Sequence, residues 1–578
     1  MINKIAVIGG GPGGLSACYE LQKKGFTNIV AFEGKSKLGG VWSDNPGEFD
    51  TNKKYIDAFS ELKNLNLKEF PQVDTDHLFH WNSPLITGEL TERLDKENNG
   101  NEYTIDDPLI IDKRDRSCQE SLFYNNKTGI YKGFYSNVSR ELMRFTTDVN
   151  PQSFYKGDII DNKDINPLIY LKEIQQNIET FIEKDDLKKY YRFNSSVEMI
   201  QPNNSHQWKL YIRELSSDEN ATVEKWYTET FDAVVIANGW CQLPYIPFYM
   251  SGDWHEIHEY NKKFPGKMFH VRDIDFWEQN VLPAMSKNSD TNRKLNILII
   301  GKSFSAMDVL KRVKEFSLEE KRDVNVYLSY NKAPELDDTG QNPFYWFDEW
   351  LLTAQKEGKI HLKPKIEKFV CTEQENGVKF IGDDDLYSDW DSIVFATGYL
   401  RSFPFLAPII RQNYKIFMSP DPRTKHTSNI SRVTGLYLHT FSIADPTLAF
   451  VGISSNANFQ SFQLSAKTIS DVWHKFNKLF NNPEITKDPP YYDNIWYNIL
   501  PSINDQLEWS RKVLALKGNS GAFHFMYPFD VLQEYWLNDC EKLFESDFEQ
   551  PLFPENTQTL YKYSVGRLKE IFLQTMNR

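Results

Sequence analysis

Gly9, Gly11 and Gly14, in the run Gly9-Gly10-Gly11-Pro12-Gly13-Gly14, are the residues whose types and spacing most directly suggest chemistry. The spacing suits a turn that admits the two phosphates of a dinucleotide. Gly9 permits a tight bend, Gly11 lets the backbone approach a pyrophosphate, and Gly14 lets the following helix pack on the strand. The motif opens that helix, whose unpaired N–H groups and dipole favour negative charge. Glu33 ends the next apolar run, where a carboxylate can accept hydrogen bonds from both hydroxyls of a ribose. Each motif alone also fits an ordinary glycine-rich turn; their order along the chain carries the inference.

That order is set by the elements around the glycines. Lys4 to Ile8 reads as a strand, Leu15 to Lys24 as a helix and Ile29 to Phe32 as a second strand, one βαβ unit. A second unit starts with the apolar run Lys294 to Ile300, turns at Gly301, continues as a helix through Val313 and returns as a strand over Val324 to Ser329. It closes at Ser392 to Ala396, after which Thr397-Gly398 turns the chain back. Helices are expected over Ile169–Ile182, Thr468–Leu479 and Phe529–Phe544, and strands near Tyr191-Arg192-Phe193 and over Phe231–Ala237. The stretch from about 44 to 128 loses periodicity and reads as a long surface insertion. The expected fold is α/β with two Rossmann-like dinucleotide-binding domains, one inserted in the other: 1–242 with 396–578, and 243–395.

With 578 residues the chain exceeds what one compact core accommodates, and 40% hydrophobic and 14% aromatic residues allow ample burial. A net charge of −14 would repel a phosphate backbone, so nucleic acid is not an expected partner. The five cysteines lack CxxC spacing, which suggests neither a zinc site nor a disulfide framework and fits a reducing compartment. No metal is expected. No signal peptide or apolar run of membrane-spanning length is visible. A cytoplasmic address follows, with peripheral membrane association and homodimerisation left open.

A second glycine pair, Gly39-Gly40-Val41-Trp42, follows Glu33. In flavoproteins with two dinucleotide sites such a pair lets the chain pass close to FAD, which separates FAD from NAD at this first unit. Tyr135-Ser136-Asn137-Val138-Ser139-Arg140, Phe264-Pro265-Gly266-Lys267-Met268-Phe269-His270, Gly301-Lys302-Ser303-Phe304-Ser305-Ala306-Met307-Asp308 and the paired turns Ala237-Asn238-Gly239 and Ala396-Thr397-Gly398-Tyr399 extend the pattern. With them the chain resembles the flavin-containing monooxygenase family, particularly its soluble fungal and bacterial members, over roughly residues 1–42 and 130–475. The resemblance implies FAD at Gly9, Gly11, Pro12, Gly13, Gly14, Glu33, Gly40, Val41, Trp42 and Val197. It implies NADPH at Gly301, Lys302, Ser303, Phe304, Ser305 and Lys332, with Thr397 and Gly398 at the cofactors too. Asn137 is the implied catalytic residue, facing flavin and oxygen, whereas His270 fits a structural role at the hinge between domains.

The chain also departs from the family. Asn331 stands where an arginine commonly meets the NADPH 2′-phosphate, although Lys302 and Lys332 could supply charge and no carboxylate is visible for a free hydroxyl. Asn238 replaces threonine, and Gln463 and Lys467 differ from the usual Glu and Arg. Ile274 stands where an aromatic usually follows His270, and the Trp-Pro continuation of typical Baeyer–Villiger enzymes is absent. The implied activity is an N,N-dimethylaniline-type monooxygenase. NADPH reduces the flavin, which captures O2 as a C4a-hydroperoxide and passes oxygen to a small amine or sulfur substrate. Baeyer–Villiger oxygenation of a ketone and a catalytically weak flavin-binding scaffold are the alternatives. A flavin disulfide reductase would need a CxxC that is not there.

Overall fold

The apolar runs of both βαβ units form strands buried on both faces, the signature of parallel sheets covered by helices. The computed structural model describes residues 1–43, 88–95, 102–112, 129–147, 166–203, 206–214, 222–241, 254–288, 293–336, 344–401, 432–454, 458–482, 491–518, 533–549 and 557–578, with short pieces at 243–244, 246, 403, 405–407, 410, 414, 521–525 and 551–553. Among them a seven-stranded sheet runs in the order Leu436–Tyr437, Phe441–Ser442, Leu448–Phe450, Ala233–Ile236, Lys4–Ile8, Asn28–Phe32, Tyr191–Arg192. Its centre is parallel, Ile5 pairing with Ile29 on one side and Ala233 on the other. The helix Pro12–Lys23 packs along this sheet beside the helix Asn458–Phe480. That second helix is longer than its sequence pattern predicts.

A second, wholly parallel sheet has the order Met268–His270, Ser392–Phe395, Leu295–Ile300, Val324–Ser329, His361–Lys363. Its helix Phe304–Glu319 follows Gly301, as predicted from the sequence. The α/β class with two Rossmann-like units therefore holds.

One expectation needs correction. Part of the 44–128 stretch is structural rather than a surface excursion: Leu109–Asp112 is the edge strand of an antiparallel sheet with Val223–Phe231, Trp208–Glu214 and Ser195–Pro202. The helix Gly88–Asp95 buries Leu90 and Leu94 with this strand's Leu109 and Ile111. Apolar residues every second or third position were too sparse to reveal it; the rest of the insertion lies outside the described residues. The helix expected over Phe529–Phe544 is present in its described part, a π-helical turn at Gln533–Leu537 running into Asn538–Glu541, while 529–532 lie outside the described residues. The C-terminal helix Thr557–Met576 packs against the second unit. Its Phe572 ring meets Trp346, Phe347 and Trp350 of the helix Tyr345–Lys356, with centroids 5.8, 5.5 and 4.8 Å away.

Candidate functional site

Gly9 leaves its strand with φ +111°, and a Cβ there would come within 2.4 Å of the Ala237 carbonyl oxygen. Only glycine fits a backbone that is both left-handed and pressed on a neighbouring turn. Gly301 repeats this geometry in the second unit, with φ +114° and a Cβ position 2.4 Å from the Ala396 oxygen. The hydrogen bonds repeat too. Gly9 N donates to Phe32 O and Ala237 N to Ile8 O in the first unit, while Gly301 N donates to Ser329 O and Ala396 N to Ile300 O in the second. The two turns are thus built alike and lie at the carboxyl ends of parallel strands, where nucleotide ligands bind in open α/β sheets.

Both helices that follow are left open to a ligand at their N-termini. Gly11 caps Pro12–Lys23 in extended conformation without a side-chain bond, and Ser303 caps Phe304–Glu319 without using its hydroxyl. Unsatisfied N–H groups at such ends attract phosphate. In the first turn the two glycine pairs meet. Gly39 N donates to Gly10 O at 2.8 Å, and a Cβ on Gly40 would sit 2.9 Å from Gly11 Cα. The backbone cradle at Gly11 and Gly40 is one that side chains would fill, as a diphosphate site requires. Glu33, largely buried, turns its carboxylate onto this cradle, accepting from Gly10 N at 2.6 Å and Lys35 N at 2.8 Å. Gly14 lies where a Cβ would strike the Gly9 oxygen at 1.8 Å, which is the helix-to-strand contact its position predicts.

Pro12 and Gly13 are buried in the first helical turn, and Val41 packs half-buried at the core edge. Trp42 is buried beneath the Asn137 segment, edge-on to Phe134 at 5.6 Å, and its carbonyl accepts from Gln175. Val197 is a core residue, buried with Ile8 and Phe32.

Asn137 follows the bridge between Tyr135 and Tyr170 and precedes a short 3₁₀ turn at Arg140–Leu142. Ser136 beside it is buried and locked, its hydroxyl donating to Val138 O and accepting from Ile169 N. Asn137 itself is half-buried, and its amide has no hydrogen-bond partner among the described residues. The segment before it is fastened to the second unit. Tyr131 donates to Asp308, Lys311 pairs with Asp308 at 2.6 Å and donates to Tyr135 Oη at 2.8 Å, and Arg312 donates to Lys132 O. No sequence signal joined Asp308, Lys311 and Arg312 to the Asn137 segment, because the link spans more than 170 positions.

In the second turn, Ser303 is exposed and Phe304 and Ser305 are half-buried. Phe304 meets Phe344 edge-on at 4.5 Å. Lys302 corrects the expectation of a free phosphate donor: its ammonium is held by both Asp348 oxygens at 2.7 Å. The helix Tyr345–Lys356 thus delivers a carboxylate that strand-end inspection missed, and an ion pair this enclosed must loosen before the lysine can serve a ligand. Lys332 is exposed and pairs with Glu335 at 3.0 Å, while Asn331 is exposed.

His270 is held by the backbone on both ring nitrogens. It is buried, its Nδ1 accepts from Arg272 N, and its Nε2 meets Gly398 O at 2.9 Å. Burial first, and the Arg272 charge second, pull it from 6.5 to about 3. Neutral imidazole therefore ties Met268–His270 to the Thr397-Gly398 return turn, where Thr397 is half-buried. Gln463 clamps Thr146 through both ends of its amide, and Lys467 pairs with buried Asp471 at 3.0 Å, so both departures from the family pattern have structural partners.

Among the described residues no cluster of potential metal ligands occurs, and no helix is long and apolar enough to cross a membrane. The four described cysteines are free, and Cys118 lies outside the described residues.

Comparison with known proteins agrees with this geometry. Residues 7–55 match the model of the NAD(P)-binding Rossmann-like domain. The flavin-containing monooxygenase iboF of Amanita muscaria is 23% identical over 490 residues, covering 82% of this chain and 79% of that protein. A trimethylamine monooxygenase of Methylocella silvestris is 25% identical over 293 residues, 50% of each chain. Among solved structures, an S-allyl-L-cysteine S-oxygenase from Allium sativum shares the fold with a TM-score of 0.52 at 18% identity, covering 98% of this chain and 93% of that one.

Proposed function

We propose that the chain is a flavin-containing monooxygenase, like the relatives so named that are 22–24% identical to it over 81–86% of its length, and that it uses FAD and NADPH to oxygenate a soft nucleophile, an amine nitrogen or a sulfur. The observation that carries this reading is the pair of like-built turns, Gly9 against Ala237 and Gly301 against Ala396, in one chain. In this reading residues 1–242 and 396–578 hold FAD, and 243–395, with the C-terminal helix docked on it, hold NADPH. The activity reported in each relative's name belongs to that relative; the amine or sulfur class is proposed here.

When bound, the nicotinamide supplies a hydride, and the flavin accepts it and activates O2. The protein binds, orients and shields. Gly11, Gly40 and the open N-terminus of Pro12–Lys23 receive the FAD diphosphate, and Glu33 can accept from its ribose once it exchanges the Gly10 N–H for hydroxyl donors. Ser303 and the N-terminus of Phe304–Glu319 receive the NADPH diphosphate. Asn137, whose amide has donor and acceptor both free among the described residues, holds the reacting oxygen by hydrogen bonds and keeps it from water. The clamp through Asp308, Lys311 and Arg312 keeps the Asn137 segment in register with the nicotinamide unit. His270 holds no mobile proton at neutral pH, so its part is positional.

Asn137→Ser tests the assignment. The variant is expected to consume NADPH while the yield of oxygenated product per NADPH falls, the remainder appearing as hydrogen peroxide. An unchanged yield with an amine and thiol panel would remove Asn137 from the site.

A further inference from the structure

Arg401 leaves the Thr397–Gly398 turn and is almost fully enclosed, at 3% exposure. Its Nε and Nη2 both donate to one acceptor, the Ile453 carbonyl, at 3.1 and 2.8 Å. Its guanidinium lies over the Trp240 ring, 4.9 Å from the centroid. Nη1 has no hydrogen-bond partner among the described residues, yet it is not sealed off from open space. Arg401 is part of the wall of a pocket shared with Asn238, Gly239, Trp240, Phe403 and Val451. This pocket adjoins the first glycine turn, because a Cβ on Gly13 would lie 3.2 Å from Val451 Cγ1.

A buried guanidinium ordinarily sits with a carboxylate, since the desolvation of an isolated charge is not recovered by neutral dipoles. Here no described carboxylate pairs with it. Burial pulls Arg401 from 12.5 to about 10, and the nearby ionisable group acting on it is the Cys241 thiol. It remains cationic at neutral pH. The Trp240 face attracts the cation but offers no hydrogen-bond acceptor in the guanidinium plane. What remains is a planar donor edge turned to a pocket at the carboxyl end of the first sheet, the arrangement that recognises oxyanions.

We infer that this pocket is an anion site, in which Arg401, backed by Trp240, binds a carboxylate or phosphate oxygen of a bound molecule. The anion has two sources to choose between, a carboxylate on the substrate or a phosphate of FAD or NADPH. The substrate arm rests on the oxygenase reading above; the site itself does not.

The test uses Arg401→Gln and Arg401→Lys in the full chain, read by equilibrium binding without oxygen so that no turnover is needed. The FAD-loaded protein is titrated with methylthiopropanoate and with its methyl ester, and with NADP+; the deflavinated protein is titrated with FAD. For a substrate anion, Arg401→Gln weakens the acid about tenfold or more, the loss expected for a charge-assisted hydrogen bond, and leaves the ester and both cofactors unchanged. For a cofactor phosphate, FAD or NADP+ weakens by a similar factor and the acid and ester behave alike. In both cases Arg401→Lys restores part of the affinity, and the ligand-free protein tolerates Arg401→Gln because an uncompensated charge has been removed. If all four affinities are unchanged, or if Arg401→Gln only lowers the melting temperature, Arg401 merely holds Ile453 and the inference is overturned. A protein that binds the acid through Arg401 yet oxygenates nothing would contradict the proposed function while sustaining the anion site.

Discussion

Gly11→Ala and Gly14→Ala separate a glycine needed for the ligand from one needed for the fold. Gly11 has φ −78°, and a Cβ there would lie 3.5 Å from Gly40 Cα, an ordinary contact. The ligand-free protein should therefore lose less than about 1 kcal/mol, the scale of changing a helix cap. The added methyl does, however, enter the cradle between the two glycine pairs. Displacing the diphosphate from even one backbone N–H to charged oxygen removes about 1.5–3 kcal/mol, so FAD should bind roughly 10- to 100-fold more weakly. Gly14 is different, because its Cβ would lie 1.8 Å from the Gly9 carbonyl oxygen. Backbone must move, at about 1–3 kcal/mol or more, and Gly14→Ala should melt early even without ligand. Thermal unfolding of the deflavinated proteins and FAD titration by quenching of flavin fluorescence measure the two effects. If Gly11→Ala bound FAD with wild-type affinity, the diphosphate would not lie at this turn.

Three further outcomes follow from side-chain contacts. Asp348→Asn releases Lys302 from its ion pair, so KM should fall for NADPH relative to NADH; an unchanged ratio would place the 2′-phosphate away from Lys302. His270 is held at about 3 against 6.5 when unfolded, so the stability due to its neutral form is complete above pH 6.5 and is lost as pH falls from 6.5 toward 3. His270→Gln should flatten that part of a plot of denaturation midpoint against pH, and an unaltered slope would contradict the buried neutral imidazole. Phe572→Ala empties the contact with Trp346, Phe347 and Trp350 and should cost about 3–5 kcal/mol, seen as release of the C-terminal helix to limited proteolysis.

How far the sequence could be read depended on whether a residue's role is set by its neighbours in the chain. Gly9, Gly14 and Gly301 were legible because a tight strand-to-helix turn imposes its own local spacing, and the structure gives each a close backbone approach. The strands Leu295–Ile300 and Ser392–Phe395 were legible because burial on both faces leaves an unbroken apolar run. Contacts over long sequence separations were not. Asp348 neutralises Lys302 from 46 positions away, and Arg401 reaches Ile453 from 52. Leu109–Asp112 escaped notice because a four-residue edge strand carries too little alternation to stand out. Phe572 sits in an amphipathic helix whose partner no periodicity reveals.

The central claim, that two nucleotide sites in one chain serve oxygen transfer, is tested most directly with isotopically labelled O2. The FAD-loaded protein is supplied with NADPH, labelled O2 and a panel of amines, thiols and thioethers, and products are weighed by mass spectrometry. The account predicts an N- or S-oxygenated product carrying a single labelled oxygen, its formation dependent on both FAD and NADPH. NADPH oxidation that sends all the label to hydrogen peroxide with every substrate, or labelled ester from a ketone in place of an N- or S-oxide, would contradict it.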